Sequence, residues 1–114
     1  MQPANRVMDK RRRGRIPARL KVRFGQRSCD HNAVAENISE DGLYINTNMV
    51  FPVGTQLEIQ IELPGCAIFQ RARVVWAIRV PEHMRESMIC GMGVEFLGHN
   101  PEWAGLYRKW QSAR

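Results

Sequence analysis

The chain has 114 residues, 44% hydrophobic and 25% charged, a size and make-up that suit one soluble domain with a single modest core and exclude two. No apolar run approaches the roughly 18 to 20 residues of a membrane span, and no apolar stretch follows the N-terminal charges, so neither a membrane helix nor a secretory signal is expected. The net charge of +6 is unevenly placed: residues 1–27 hold ten of the 17 Lys and Arg against Asp9 alone, while the remainder nets −3. Basicity of this kind belongs to a segment and not to a fold. It attracts phosphates on nucleic acids, nucleotides or lipids, unless it is merely a solvated tail.

Residues 1–10 show neither periodicity nor a hydrophobic face and are expected to be disordered when nothing is bound. Arg11, Arg15, Arg19, Arg23 and Arg27 recur every four residues, which on a helix would make one basic stripe. Gly14 and Pro17 oppose that helix, because proline removes a donor and its ring clashes with the preceding turn. From Leu20 the period becomes two, with Leu20, Val22 and Phe24 on one side and Arg19, Lys21 and Arg23 on the other. A first strand with a basic outer face is expected, preceded by a flexible basic arm over residues 1–17 and opening a domain over residues 18–114.

After a turn at residues 25–30, a second strand runs from about His31 to Ile38 and ends at Ser39. Asp41-Gly42 is a hairpin-type dipeptide, and a third strand resumes over Leu43 to Thr47. Residues 51–54 punctuate the chain. Gln56 to Leu63 then alternates, with Leu57, Ile59, Ile61 and Leu63 inward, until Pro64-Gly65 turns it. A long fifth strand over Cys66 to Val80 places Ala72, Val74, Trp76, Ile78 and Val80 on one face. A loop over Pro81 to Glu86 leads to a last strand, Met88 to Leu97, with Met88, Cys90, Met92, Val94 and Phe96 together. Asn100-Pro101-Glu102 announces a helix to about residue 112: an N-cap, proline at the first position and an acid at the positive end of the dipole. Trp103, Leu106, Tyr107 and Trp110 form its apolar stripe. The expected fold is all-β, a six-stranded antiparallel barrel with one C-terminal helix.

Little in the chain suggests catalysis. His31, His83 and His99 are scattered without metal-ligand spacing, and there is no nucleophile elbow, Walker loop or G-x-G-x-x-G. No enzyme activity, metal or cofactor is expected. Cys29, Cys66 and Cys90 are odd in number, widely spaced and without a C-x-x-C pair, which points to reduced thiols in the cytoplasm.

The informative pair is Arg11-x-x-x-Arg15, followed by Ile16-Pro17 and a strand, and then Asn37-x-Ser39-x-x-Gly42. By itself the second string is what any hairpin would use, and the first recurs along the arginine series. Jointly, at this spacing, they resemble the paired signature of PilZ domains, R-x-x-x-R and [D/N]-x-S-x-x-G. Arg73-Val74-Val75-Trp76 and Gly93-Val94-Glu95-Phe96 are similar to strands found later in that family, so the likeness covers most of the chain. It implies a PilZ-type barrel that binds the bacterial second messenger cyclic di-GMP in the cytoplasm and passes the signal to another protein.

The residues suit such a ligand, which carries two phosphates and two guanines. Bidentate arginine matches both guanine O6/N7 and phosphate, the roles implied for Arg11 and Arg15. Asn37 offers one oxygen to the N–H edge of guanine, a weaker acceptor than aspartate there. Ser39 can donate to phosphate, and Gly42 leaves space for a base or sugar. Arg12 and Arg13 are placed to reach phosphates, and Lys10 stands where the family often has a further arginine. Trp76 is a candidate for stacking on a base, although its parity with Val74 and Ile78 assigns it to the core. Two other readings stay open: a small nucleic-acid-binding barrel, disfavoured because the outer face of the first strand carries no aromatic, and a PilZ domain that binds only protein.

Overall fold

Six runs of alternating apolar residues become six strands in the computed structural model, which describes residues 18–86 and 88–112. Strand β1 (Leu20–Gly25) buries Val22 and Phe24 and exposes Lys21 and Arg23. Strands β2 (His31–Ser39), β3 (Gly42–Asn46), β4 (Gln56–Leu63), β5 (Cys66–Ile78) and β6 (Gly91–Phe96) complete a closed barrel in the order β1-β2-β3-β6-β5-β4. Every neighbouring pair is antiparallel. Among the described residues, closure leaves no edge strand open to pairing with another chain. Phe24, Ile38, Ile45, Leu57, Ile59, Ile61, Val74 and Met92 fill the interior.

Helix α1 (Pro101–Ser112) packs on this barrel and buries Trp103, Ala104 and Tyr107. The Asn100 side-chain oxygen accepts the backbone N–H groups of Glu102 (3.0 Å) and Trp103 (3.2 Å), the cap expected from the sequence. Trp103 is buried, edge-on to both Phe96 and Trp110, and its indole N–H donates to the Ser39 carbonyl at 3.0 Å. The helix is thereby tied to the end of β2.

Tyr107 lies one turn further along α1 and is buried, yet its hydroxyl meets no hydrogen-bond partner among the described residues. Burial first, then Glu40 and Asp41, pushes its pKa above the ordinary 10.0. The folded state thus holds this proton longer than the unfolded chain, so its share of stability is intact below pH 10 and is lost as pH rises through the raised value. Tyr107→Phe removes a hydroxyl that gains nothing from burial. It should be neutral or stabilising by up to about 1 kcal/mol at pH 7 and should blunt the alkaline loss, both measurable by urea unfolding. A clear loss at pH 7 would mean that the hydroxyl is bonded in solution.

Two expected strands differ at one end of the barrel. In β5 the register slips between Val74, which faces Val94, and Trp76, which faces Gly93. This bulge at Val75 inverts parity over the rest of the strand, so Trp76 and Ile78 leave the core face. Ile78 is accordingly 38% exposed, and Trp76 is half-buried on the outer surface. Strand β6 begins at Gly91 and not at Met88, because its partner β3 stops at Asn46 and the Thr47 amide closes the ladder on the Cys90 carbonyl at 3.2 Å. Met88 is exposed, and a 3-10 turn over Glu82–Met84 occupies part of the expected loop. Val80 and Cys90 stay buried, joined by the Val80 amide and the Cys90 sulfur at 3.2 Å.

Candidate functional site

The segment Asn37–Gly42 is shaped by a bulge followed by a two-residue turn. Glu36 faces Tyr44 and Ser39 faces Gly42, so Asn37 and Ile38 together oppose Leu43 alone. Asn37 takes up the extra residue with φ of 51°, a left-handed conformation that asparagine tolerates better than most side chains. Ile38 is thereby turned into the core, and Asn37 is left half-buried beside Glu36.

The turn itself is Glu40–Asp41, not Asp41–Gly42, and neither residue has positive φ. The Ser39 hydroxyl closes it, donating to the Gly42 carbonyl (3.2 Å) and accepting from the Asp41 amide (3.3 Å). Gly42 is buried, and a Cβ there would collide with the Val94 carbonyl of β6. The barrel's own packing therefore demands glycine at this position, whatever approaches from outside. Overpacking costs about 1–3 kcal/mol, and Gly42→Ala should lower stability by that much in urea unfolding. An unchanged midpoint would show that β6 can yield.

Next to the turn, one cross-strand row runs over the outer face. Glu36 of β2 faces Tyr44 of β3, Tyr44 faces Gly93 of β6, and Gly93 faces Trp76 of β5. The Tyr44 and Trp76 rings are stacked, with centroids 5.0 Å and planes 17° apart. Two glycines make room for them, since a Cβ at Gly93 would strike the Trp76 indole and one at Gly91 the Tyr44 ring and hydroxyl. The Glu36 carboxylate stands at the β2 end of the row, held by the Asn46 side-chain amide at 2.7 Å and lying 3.7 Å from Arg19. The Tyr44 hydroxyl is raised above its ordinary pKa, by burial first and then by Cys90 and Glu36. In the next row, Gly42, Glu95 and Arg73 are in register, with an exposed Arg73–Glu95 ion pair of 3.2 Å.

The PilZ domain family profile matches residues 9–103. This chain belongs to the PilZ domain family. Members are generally cyclic di-GMP receptor modules and generally non-catalytic. Among solved structures, the chain is similar to the Bacillus subtilis inhibitor of motility (MotI/DgrA), with a TM-score of 0.70 and 20% identity over 89% of this chain and 51% of that one. It is also similar to the PilZ domain of CeSA from a cellulose-synthesizing bacterium, with a TM-score of 0.56 and 17% identity over 84% of this chain and 92% of that one. The chain thus spans about half the length of the motility inhibitor. No curated protein matches it.

Of the residues singled out in the sequence of this PilZ domain, Asn37, Ser39 and Gly42 fall on the one bulge and turn, and Trp76 lies on the outer row beside it. Lys10, Arg11, Arg12, Arg13 and Arg15 lie outside the described residues. Tyr44, Glu36 and Asn46 were not foreseen. Period-two alternation with the buried Leu43 and Ile45 is the signal that puts Tyr44 on the outer face, but its meeting with Trp76 depends on a register that one sequence does not reveal. Among the described residues no three His, Cys, Asp or Glu gather as a metal site.

Proposed function

We propose that this PilZ domain is a non-enzymatic receptor for cyclic di-GMP that works in the bacterial cytoplasm and relays the signal to an effector protein. The observation that carries this reading is the juxtaposition of the Asn37–Gly42 turn with an outward aromatic pair, in a chain whose R-x-x-x-R lies just ahead of β1. In this reading Arg11 and Arg15 supply guanidinium forks to guanine O6/N7 and phosphate, with Lys10, Arg12 and Arg13 adding phosphate contacts. Asn37 accepts from a guanine N–H. Ser39 fixes the turn in the unbound domain and, by rotating its single O–H away from the Gly42 carbonyl, donates to a phosphate oxygen. Trp76, lying outside the core, offers its indole to a base.

A single stacked pair suits one or two bases and not a strand of them, and the Glu36 carboxylate beside it repels a polyanionic backbone. Calorimetric titration with cyclic di-GMP, GMP and single-stranded RNA at two salt concentrations separates the readings. Cyclic di-GMP should bind with a Kd of about micromolar. GMP should bind far more weakly. Tight RNA binding with a steep salt slope, and no heat from the dinucleotide, would replace the receptor with a nucleic-acid-binding barrel.

A further inference from the structure

Guanine presents two adjacent donors, N1–H and the N2 amino group, spaced to match the two oxygens of a carboxylate. Position 37 cannot supply that match. Asn37 has one acceptor oxygen, and its amide nitrogen brings donors where guanine already has them. Its left-handed backbone serves the bulge, which also keeps Glu36 next to it on the accessible side. Of the other carboxylates near the turn, Glu95 is committed to Arg73, and Glu40 and Asp41 project from the turn into solvent.

Glu36 differs from all of these. It is the carboxylate in register with the Tyr44–Trp76 pair, at the edge of any base resting there. Its side chain is 32% exposed, so a ligand can reach it. Asn46 Nδ2, at 2.7 Å, fixes the carboxylate through Oε2 but uses only one of about four lone-pair positions. Arg19, at 3.7 Å and largely in solvent, adds a weak further attraction. An anchored, half-exposed carboxylate beside an aromatic surface has the chemistry needed to accept from N1–H and N2–H together.

We propose that Glu36, oriented by Asn46, is the residue that selects guanine at this site, taking the acceptor role that Asn37 fills only in part. This rests on the cyclic di-GMP receptor function and adds a specificity residue to it. Glu36 is not required for the phosphates, so its loss should erode base selection more than total binding.

The test compares cyclic di-GMP with the analogue in which hypoxanthine replaces both guanines, removing only the 2-amino groups. Binding is measured by calorimetry for wild type, Glu36→Gln and Glu36→Ala, with thermal unfolding as the fold control. Wild type should prefer cyclic di-GMP by roughly tenfold, the worth of one charge-assisted hydrogen bond. Both variants should bring that preference close to unity, and the hypoxanthine analogue, which keeps N1–H, should itself weaken by about tenfold at most. A purely structural Glu36 would weaken both ligands alike, and an unchanged preference in either variant overturns the assignment while the receptor reading stands. A wild type that binds neither ligand refutes the receptor reading, and the Glu36 role falls with it.

Discussion

Trp103→Ala should cost about 3–5 kcal/mol of stability, the usual range for deleting a large buried aromatic. Trp103 is only 1% exposed, and its ring meets Phe96 and Trp110 edge-on, so alanine removes a large buried ring and leaves a cavity beside α1. The variant also frees the Ser39 carbonyl, which accepts the indole N–H at 3.0 Å. Trp103→Phe retains most of the apolar ring and loses that hydrogen bond. It should cost less, with about 1 kcal/mol of the loss due to the missing bond. Urea unfolding of the two variants separates packing from the polar tie. A loss below about 1 kcal/mol for Trp103→Ala, well short of the usual range, would mean that α1 does not pack on the barrel in solution.

The second large effect is on binding. Arg15→Ala should weaken cyclic di-GMP binding by roughly tenfold to a hundredfold, since a charge-assisted bidentate contact is worth about 1.5–3 kcal/mol. Arg23→Ala removes the same formal charge and should cost much less. Arg23 is fixed in β1 between the buried Val22 and Phe24, its register neighbours being Asn32 and Gln60, away from the Asn37–Gly42 turn. Arg15 precedes Pro17 in the sequence, ahead of the alternating residues of β1. General electrostatic attraction would treat the two arginines alike, so equal losses would remove Arg15 from the site.

The strands were legible because period-two alternation runs through β1, β3, β4 and β6 and through β5 as far as Val74, and α1 was legible because Asn100, Pro101 and Glu102 each favour a helix start for a separate physical reason. What escaped were the places where one extra residue reverses parity. Val74-Val75-Trp76 contains only good strand formers, so nothing marks the bulge that sends Trp76 outward. The second bulge did leave a trace, an asparagine at the one non-glycine position with positive φ among the described residues, but the same residue also fits a binding role. Gly42 shows a related ambiguity. Space for a ligand and space for the Val94 carbonyl call for the same residue, and only the fold reveals the second demand. The Tyr44–Trp76–Glu36 grouping joins Trp76 to the β2–β3 hairpin through pairings of β6 that are distant in sequence, beyond the reach of local pattern.

The most direct measurement on receptor function is an NMR titration of isotope-labelled protein with cyclic di-GMP, tracking backbone amides and tryptophan indoles. Binding at the proposed site should shift the amides of Glu36, Asn37, Ser39, Gly42 and Tyr44 and the indole of Trp76. The Trp103 indole should respond through the Ser39 carbonyl that it holds. No change on adding the dinucleotide, or changes confined to the β4–β5 face around the Arg71–Glu58 pair, would contradict a cyclic di-GMP site at the β2–β3 turn.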